Sequence, residues 1–432
     1  MTLHAFLPAL LVSGGRIVFV ALWFVALMLV YGGLARHPDG LAQAGVFALA
    51  IACIKVASGF ISDPIDLAVM RAVPPRLHGN PVEALDVLRA ALGVRLVAVL
   101  AIAAPVAIFA PMIATLAVPV PGGAAVVRWV ALAIVGDTLF RATLVVQQAR
   151  ERFGTFVLLE GLLQVGRTGA IALLWAFDAI RVDWVLLCYA SVSLGTAAVG
   201  ALLLPPGLAG SLRGLRRHVV ELVDYVRWMV PAMMLAGLNE RLDVFLVYSF
   251  RGSDAAGLYG AVLTLALVPD ILGGCLSTVL QPRIVRMHER REIPAAFRRY
   301  LTLSLPLCAA GMGAAILLAG PLLPLVLGAK YAPAIPAFLW LLAGTLFWLA
   351  VTPLPMTLVA IVAPGRLLAV TILQTVTVVA SGLVLLALAG PVGMAQGIFI
   401  TRVVVALTLC GMAHSVNVSA LPAGRAELPG PA

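Results

Sequence analysis

Residues 392–413 read VGMAQGIFITRVVVALTLCGMA. The run carries one charge, Arg402, and no proline. As an α-helix rising 1.5 Å per residue it would be about 33 Å long, enough to cross the hydrocarbon core of a bilayer. Its apolar residues are continuous, without the alternation of a half-buried strand. It reads as a membrane span. Working outward, eleven more such runs fall at Leu10–Tyr31, Leu41–Phe60, Ala90–Ile113, Val126–Val146, Phe156–Phe177, Trp184–Leu204, Tyr225–Tyr248, Leu258–Leu280, Tyr300–Leu323, Pro336–Met356 and Leu367–Leu388.

The whole composition agrees. Hydrophobic residues make up 62% of the 432, charged residues 11%, and mean hydropathy is +1.08. A soluble domain carries about 25% charged residues, so no water-soluble surface can be built from this pool. A disordered chain, a fibrous repeat and a disulfide scaffold are excluded by the same figures. The expected fold is an all-α polytopic membrane protein with about 12 transmembrane helices.

The net charge of +10 would suggest nucleic acid in a soluble protein. Here it follows the rule that basic residues hold cytoplasmic loops in place, and no nucleic-acid partner is expected. With the N-terminus in the cytoplasm, 17 loop Lys and Arg fall on that side; only Arg36, Arg181, Arg251 and Lys330 fall on the other. Both termini are therefore expected in the cytoplasm. The N-terminus has no basic segment before a run too long for a signal peptide, so it reads as an uncleaved first span. All the basic residues except Lys55 and Lys330 are arginines, whose planar forks match phosphate geometry.

The cysteines (Cys53, Cys188, Cys275, Cys308 and Cys410) each sit inside an apolar run and read as small buried hydrophobes. No histidines stand at zinc-ligand spacing, so no metal site is expected. A P-loop, H-E-x-x-H and G-x-S-x-G are absent, and no extramembrane segment is long enough for a catalytic domain. The chain is not expected to be an enzyme, and no cofactor is expected. Asp63-Pro64-Ile65-Asp66 reads as polarity at a helix end.

The spans divide six and six. In each half the long basic loop follows the second span, one containing Arg76-Leu77-His78 and the other Arg286-Met287-His288. This placement suggests a parallel repeat. The expected domains are an N-terminal six-helix lobe at residues 1–204, a linker at 205–224, a C-terminal six-helix lobe at 225–414 and a cytoplasmic tail at 415–432. In the linker, Leu208, Leu212, Leu215, Val219 and Leu222 recur at helical spacing, with Arg213, Arg216, Arg217, Glu221 and Asp224 between them. It reads as an amphipathic helix in the cytoplasmic interface.

Charges inside spans are costly and point to function by default. The cationic set is Arg16, Lys55, Arg141, Arg167, Arg241 and Arg402. Arg16, Lys55 and Arg141 lie close enough to a cytoplasmic end for a long side chain to nearly reach water. Arg167 and Arg402 are about ten residues, or roughly 15 Å, from either end and must meet a carboxylate, a polar cavity or a ligand. Asp137 and Arg141 stand one helical turn apart, and Glu160 stands two turns from Arg167. Asn239-Glu240-Arg241-Leu242-Asp243 crowds four polar side chains into the seventh span, and Asp270 follows Pro269 in the eighth. Neither Asp270 nor Arg402 has a partner within its own span. Together with the prolines and glycines of the second half, these charges suggest a transporter with broken helices.

The stretch DVFLVYSFRGSDAAGLYG (residues 243–260) resembles the hallmark of the polysaccharide flippases in the multidrug/oligosaccharidyl-lipid/polysaccharide exporter superfamily. That hallmark is an Asp in the seventh helix, a short loop, then Gly-x-Tyr opening the eighth. Pro282-Arg283 and the basic loop after it resemble the end of their eighth helix, and Leu327-Gly328-Ala329-Lys330-Tyr331-Ala332-Pro333-Ala334 the loop after their ninth. Ala44-Gly45-Val46-Phe47 matches more loosely. Many relatives have a basic residue after the Asp where this chain has Val244, and Arg241 stands as a substitute.

The resemblance implies two six-helix lobes around a central cavity, working by alternating access in the bacterial inner membrane. The implied substrate is an oligosaccharide on undecaprenyl diphosphate, moved from the cytoplasmic to the periplasmic leaflet for exopolysaccharide or other surface polysaccharide. A cationic cavity of the six residues above would take the diphosphate, with Arg167 facing Arg402 across it. Gln164, Asn239 and Gln374 would meet the sugar. Asp137, Glu240, Asp243 and Asp270 would be candidates for coupling to Na+ or H+. The expected partners are the lipid-linked oligosaccharide, membrane lipids and polysaccharide polymerase machinery. The alternatives are a cation-coupled multidrug exporter of the same superfamily, which would want acidic cavity residues in excess, and a membrane glycosyltransferase or polymerase.

Overall fold

The structure, a computed structural model, describes residues 3–118, 120, 122–208, 215–270, 272–274, 293–353 and 364–418. Within that range the side chains of residues 3–14, 16–17, 78, 225, 228–229, 293–296, 364–367 and 413–418 are not described. The order is α1 (Leu3–Leu34), α2 (Gly40–Gly79), α3 (Pro81–Ile108), α4 (Ala110–Ala117), α5 (Gly123–Ala149), α6 (Phe153–Ala176), α7 (Val182–Leu202), α8 (Leu215–Asn239) and α9 (Leu242–Ala266). After these come α10 (Ile293–Leu327), a 3₁₀ turn (Ala329–Ala334), α11 (Ile335–Ala350) and α12 (Pro364–Val418). Among the described residues there is no strand, and nine helical stretches are long and apolar enough to cross a membrane. Helix is the form these runs must take, because hydrocarbon offers backbone groups no water to bond.

Two of the elements are hairpins of helix. In α9 the chain turns at Gly252 (φ 83°, ψ −179°), and in α12 at Gly390 (φ 61°, ψ −143°), both conformations that only glycine adopts readily. The arms then lie side by side. The Tyr259 hydroxyl donates to Asp243 at 2.7 Å, and the Ser381 hydroxyl donates to the Gly397 carbonyl at 3.3 Å.

Four expectations from the sequence change. The basic stretch after the second span is not a loop, for α2 runs on to Gly79. At 40 residues it is about 60 Å long, twice the hydrocarbon thickness, so its end stands clear of the membrane. Asp63 and Asp66 therefore lie inside a helix, where each meets an arginine: Asp63 pairs with Arg141 and Asp66 with Arg95. The linker helix is not separate either. From Leu215 it continues through Asp224 into the span as α8, because Leu215 and Leu222 bury against the neighbouring helices while Arg216 and Arg217 stay exposed. The seventh run, read as continuous from Tyr225 to Tyr248, breaks at Glu240–Arg241, where Arg241 leaves helical geometry (φ −135°, ψ 2°). The third run starts early, at Pro81, and kinks at Phe109, since Pro111 has no N–H to continue the ladder. Arg213, the basic loop with Arg283 and Arg286-Met287-His288, Cys275 and the last residues of the tail lie outside the described residues.

The helix α2 is the axis of the packing, in contact with α3, α5, α8 and α9. Where α2 meets α9 the backbones touch: a Cβ on Gly45 would strike the backbone at Ser253, and one on Gly257 the backbone at Leu41. Tyr31, Phe47, Tyr189 and Tyr331 pack edge to face beside this contact. At the same end, Lys330 donates to the His37 carbonyl at 2.5 Å, and Arg251 donates to the carbonyls of Leu386 and Ala387 at 2.6 Å. This end, opposite the basic one, is packed shut.

Candidate functional site

A cavity of about 720 Å3 lies at mid-depth and extends toward the basic end. Its walls come from α1, the α8–α9 break, both arms of α9, α11 and both arms of α12. Six of the residues singled out from the sequence line it as charged or amide groups: Asn239, Glu240 and Arg241 at the break, Asp243 on α9, Asp270 just beyond α9 and Arg402 on α12. Gln374 lines it too. Trp23, Thr345, Trp348, Thr352 and Thr401 complete the polar and aromatic lining and were not anticipated.

Arg402 and Asp270 form the centre. The guanidinium donates twice to the carboxylate, Nη1 to Oδ1 at 3.0 Å and Nη2 to Oδ2 at 2.7 Å. Their side chains are 21% and 24% exposed, so the pair faces the cavity without leaving the wall. Gly344 packs beside it, where a Cβ would reach contact distance of the Arg402 stem at 3.4 Å. Each supplies the partner that the other lacks on its own helix.

The α8–α9 break supplies the rest. Asp243 begins α9, where a helix N-terminus favours negative charge, and it accepts from the Tyr259 hydroxyl at 2.7 Å and the Val244 N–H at 2.8 Å. Asn239 closes α8 and donates to the Thr371 carbonyl at 3.4 Å, while its Oδ1 is buried with no bond among the described residues. Arg241 sits between them with its Nε likewise unbonded. The helix ends here with the Glu240 N–H donating to the Ala236 carbonyl at 3.3 Å and the Arg241 N–H to the Leu238 carbonyl at 3.0 Å.

The other sequence candidates gather elsewhere, inside the bundle of α2, α5, α6 and α7. Arg167 does not face Arg402. It is 4% exposed, donates to the Ser193 hydroxyl at 2.7 Å and to Asp137 at 3.3 Å, and lies 4.2 Å over the Tyr189 ring. Asp137 is buried between Arg167 and Arg141, whose Nε is 3.9 Å away. Lys55 is half-buried with Asp137 as its strongest charge neighbour and Arg241 among the others. Arg141 donates through Nη1 to Asp63. Gln164 is on α6, outside the cavity lining, with its Oε1 buried and unbonded. The side chain of Arg16 lies outside the described residues. Arg95, which the sequence reading passed over, is 1% exposed and held by Asp66. Its signal was its place fourteen residues into α3, hidden by taking that span to begin at Ala90.

The expectation of a basic midplane is also corrected. In the described lining, two guanidiniums (Arg241 and Arg402) face three carboxylates (Glu240, Asp243 and Asp270). Among the described residues no three His, Cys, Asp or Glu side chains come together as a metal centre would require. The cavity can bind an amphiphile or polar solute of either charge, with hydrogen-bonding amides and hydroxyls beside two indole faces.

Residues 42–336 match the family of polysaccharide biosynthesis proteins. No curated protein matches the sequence. Among solved structures, the lipid II flippase MurJ in an inward closed conformation is 13% identical, covers 92% of this chain and 87% of its own, and superposes with a TM-score of 0.73. The MATE transporter VcmN of Vibrio cholerae is 13% identical over 96% of this chain and 98% of its own, TM-score 0.68. A MOP superfamily transporter from Pyrococcus furiosus, described by a binding pocket of reverse polarity, is 15% identical over 95% and 94%, TM-score 0.62. At these identities the likeness is one of fold. The all-helical membrane bundle, its cavity and the match across two thirds of its length place this chain in the polysaccharide biosynthesis protein family, with the fold shared by MurJ and the MATE transporters.

Proposed function

We propose that the protein is a flippase carrying an oligosaccharide on undecaprenyl diphosphate from the cytoplasmic to the periplasmic leaflet of a bacterial inner membrane. The product would feed exopolysaccharide or another surface polysaccharide and be handed to a polymerase. In this reading α9 and α12 are two crossings each, α3 with α4 is one, and α8 with the first arm of α9 is one broken crossing. That makes twelve, with both termini in the cytoplasm. The lobes rock about the cavity, which is entered from the basic end while the contact of Gly45 with Gly257 seals the other.

The observation that carries the reading is the Arg402–Asp270 pair on the cavity wall. A phosphate presents the same two-oxygen edge as a carboxylate, so a diphosphate can take the fork in place of Asp270. Arg241 supplies a second donor set close by. Asn239, Gln374, Thr345 and Thr401 offer hydrogen bonds to sugar hydroxyls, and Trp23 and Trp348 offer flat faces to sugar rings. Once displaced, Asp270 is an uncompensated carboxylate in a low-dielectric wall and takes up H+ or Na+. Loading and ion uptake are thereby linked at one residue pair. No step of bond making is involved.

The test is the surface glycan of a strain carrying Arg402→Ala, with protein level checked by immunoblot. Loss of glycan with normal protein and accumulation of lipid-linked intermediate on the cytoplasmic side supports the reading. Normal glycan at normal protein level overturns it. The excess of carboxylates in the lining favours a second reading, a cation-coupled exporter of organic cations. Under that reading Arg402→Ala would leave glycan intact, while Asp270→Asn would abolish efflux of a cationic dye.

A further inference from the structure

Away from the central cavity, α2, α3 and α8 leave a groove at the basic end. Its outer compartment, about 250 Å3, is lined by Arg71, Arg76 and Glu221. Its inner compartment, about 170 Å3, shares Leu222 with the first and is walled by Ile65, Ala91, Val94, Val226 and Val230, with Arg227 at its edge. Two of the three helices carry the same gradient: from the end of the bundle inward, α2 passes from Arg76 to Ile65 and α8 from Glu221 to Val230, while α3 is aliphatic throughout, from Val87 to Val94. The groove is charged where a bilayer has headgroups and aliphatic where it has chains.

Helix direction brings two arginines toward one level. Side chains lean toward the N-terminus of their helix. Arg227, on the inward-running α8, leans back toward the basic end, where Asp224 lies 3.4 Å from it. Arg71, on the outward-running α2, leans inward. The Arg227–Asp224 pair is more than half exposed, so solvent screens it and an incoming anion can exchange for Asp224. Arg76 donates to Glu83, to Glu221 at 2.8 Å and to the Ala72 carbonyl at 3.0 Å. It fixes the mouth of the groove and ties α8 to α2 and α3.

We propose that this groove binds an anionic glycerophospholipid of the adjoining leaflet, with its phosphate between Arg71 and Arg227 and one acyl chain in the aliphatic compartment. Basic pockets between spans suit such headgroups. The lipid braces α8 against the N-terminal helices, at the far end of the helix that reaches the cavity break. This site does not depend on what the central cavity carries.

The experiment is native mass spectrometry of the purified full chain in detergent, titrated with phosphatidylglycerol and with phosphatidylcholine of the same acyl chains. Phosphatidylglycerol should bind roughly tenfold or more tightly, from two basic contacts. Arg71→Gln with Arg227→Gln should erase the preference, and Arg71→Lys with Arg227→Lys should keep most of it. Ala91→Phe, which fills the aliphatic compartment, should weaken both lipids. Thermal melting of each variant identifies any that fail to fold, and the lysine pair then decides the matter. Equal affinity of the wild-type chain for the two lipids would overturn the proposal. So would competition by glycerol 3-phosphate as effective as that by the whole lipid, which would make it a plain anion site. Loss of the preference in Arg402→Ala would place the lipid in the central cavity instead, and equally overturn it.

Discussion

Arg402 and Arg167 are both guanidiniums about ten residues from either end of a span, and they face different fates. Arg167 is sealed among Asp137, Ser193 and Tyr189. Arg167→Met should take the nearest cation from buried Asp137, leaving it to Arg141 and Lys55, and lower stability by about 1–3 kcal/mol, read as a fall in melting temperature in detergent. Arg402 stands at a cavity wall, so Arg402→Ala should melt closer to wild type yet bind lipid-linked diphosphate about ten- to a hundredfold more weakly. Arg402→Lys should recover part of that, keeping the charge and losing the second parallel bond. If Arg402→Ala instead melts as low as Arg167→Met and binds normally, the two roles are reversed. Depth was legible in the sequence: counting residues to the span ends picked out both arginines. Which way each points was not. A helix that is apolar all round carries no stripe to fix its rotation, and the partners Asp270, Asp137 and Ser193 come from other helices.

At the scale of elements, the positions of the spans follow from the apolar runs, and the departures have local causes. The charged cluster from Asn239 to Asp243 marked the place where α8 gives way to α9, although apolar residues on both sides let the run read as one. The stretch from residue 61 to 79 contains two carboxylates and three prolines, features of a loop, but arginines on α3 and α5 pair with both carboxylates and hold it in helix. Gly252 turns one helix into a hairpin with a backbone geometry nearly closed to other residues. Gly252→Ala should therefore cost about 1–3 kcal/mol. Gly313→Ala, inside α10 with open space around it, should cost nothing or stabilise by up to about 1 kcal/mol. Thermal melts of the two variants side by side check the contrast, and equal melts would mean the hairpin relaxes freely.

For the whole molecule, the asymmetry of Lys and Arg predicts that Gly122 lies outside the cell and Arg216 inside. A cysteine at position 122 should react with a membrane-impermeant reagent in intact cells and one at position 216 should not; the reverse pattern would invert the bundle. The sealed end makes a second prediction. Gly257→Val should wedge α9 away from α2 and raise labelling, from outside, of a cysteine placed at Leu263 in the cavity wall. Unchanged labelling would show that other contacts hold the seal. The Arg402–Asp270 pair also has an electrical meaning. Empty, the pair contributes no net charge, so voltage does no work on the pair itself as the cavity returns. Loaded with a dianionic diphosphate, and with Asp270 neutralised, the pair and its cargo carry one net negative charge. An interior-negative potential expels that charge with roughly 2.3 kcal/mol per 100 mV. The pair would thus act as a rectifier, adding to the full carrier an outward push from voltage that it does not add to the empty one.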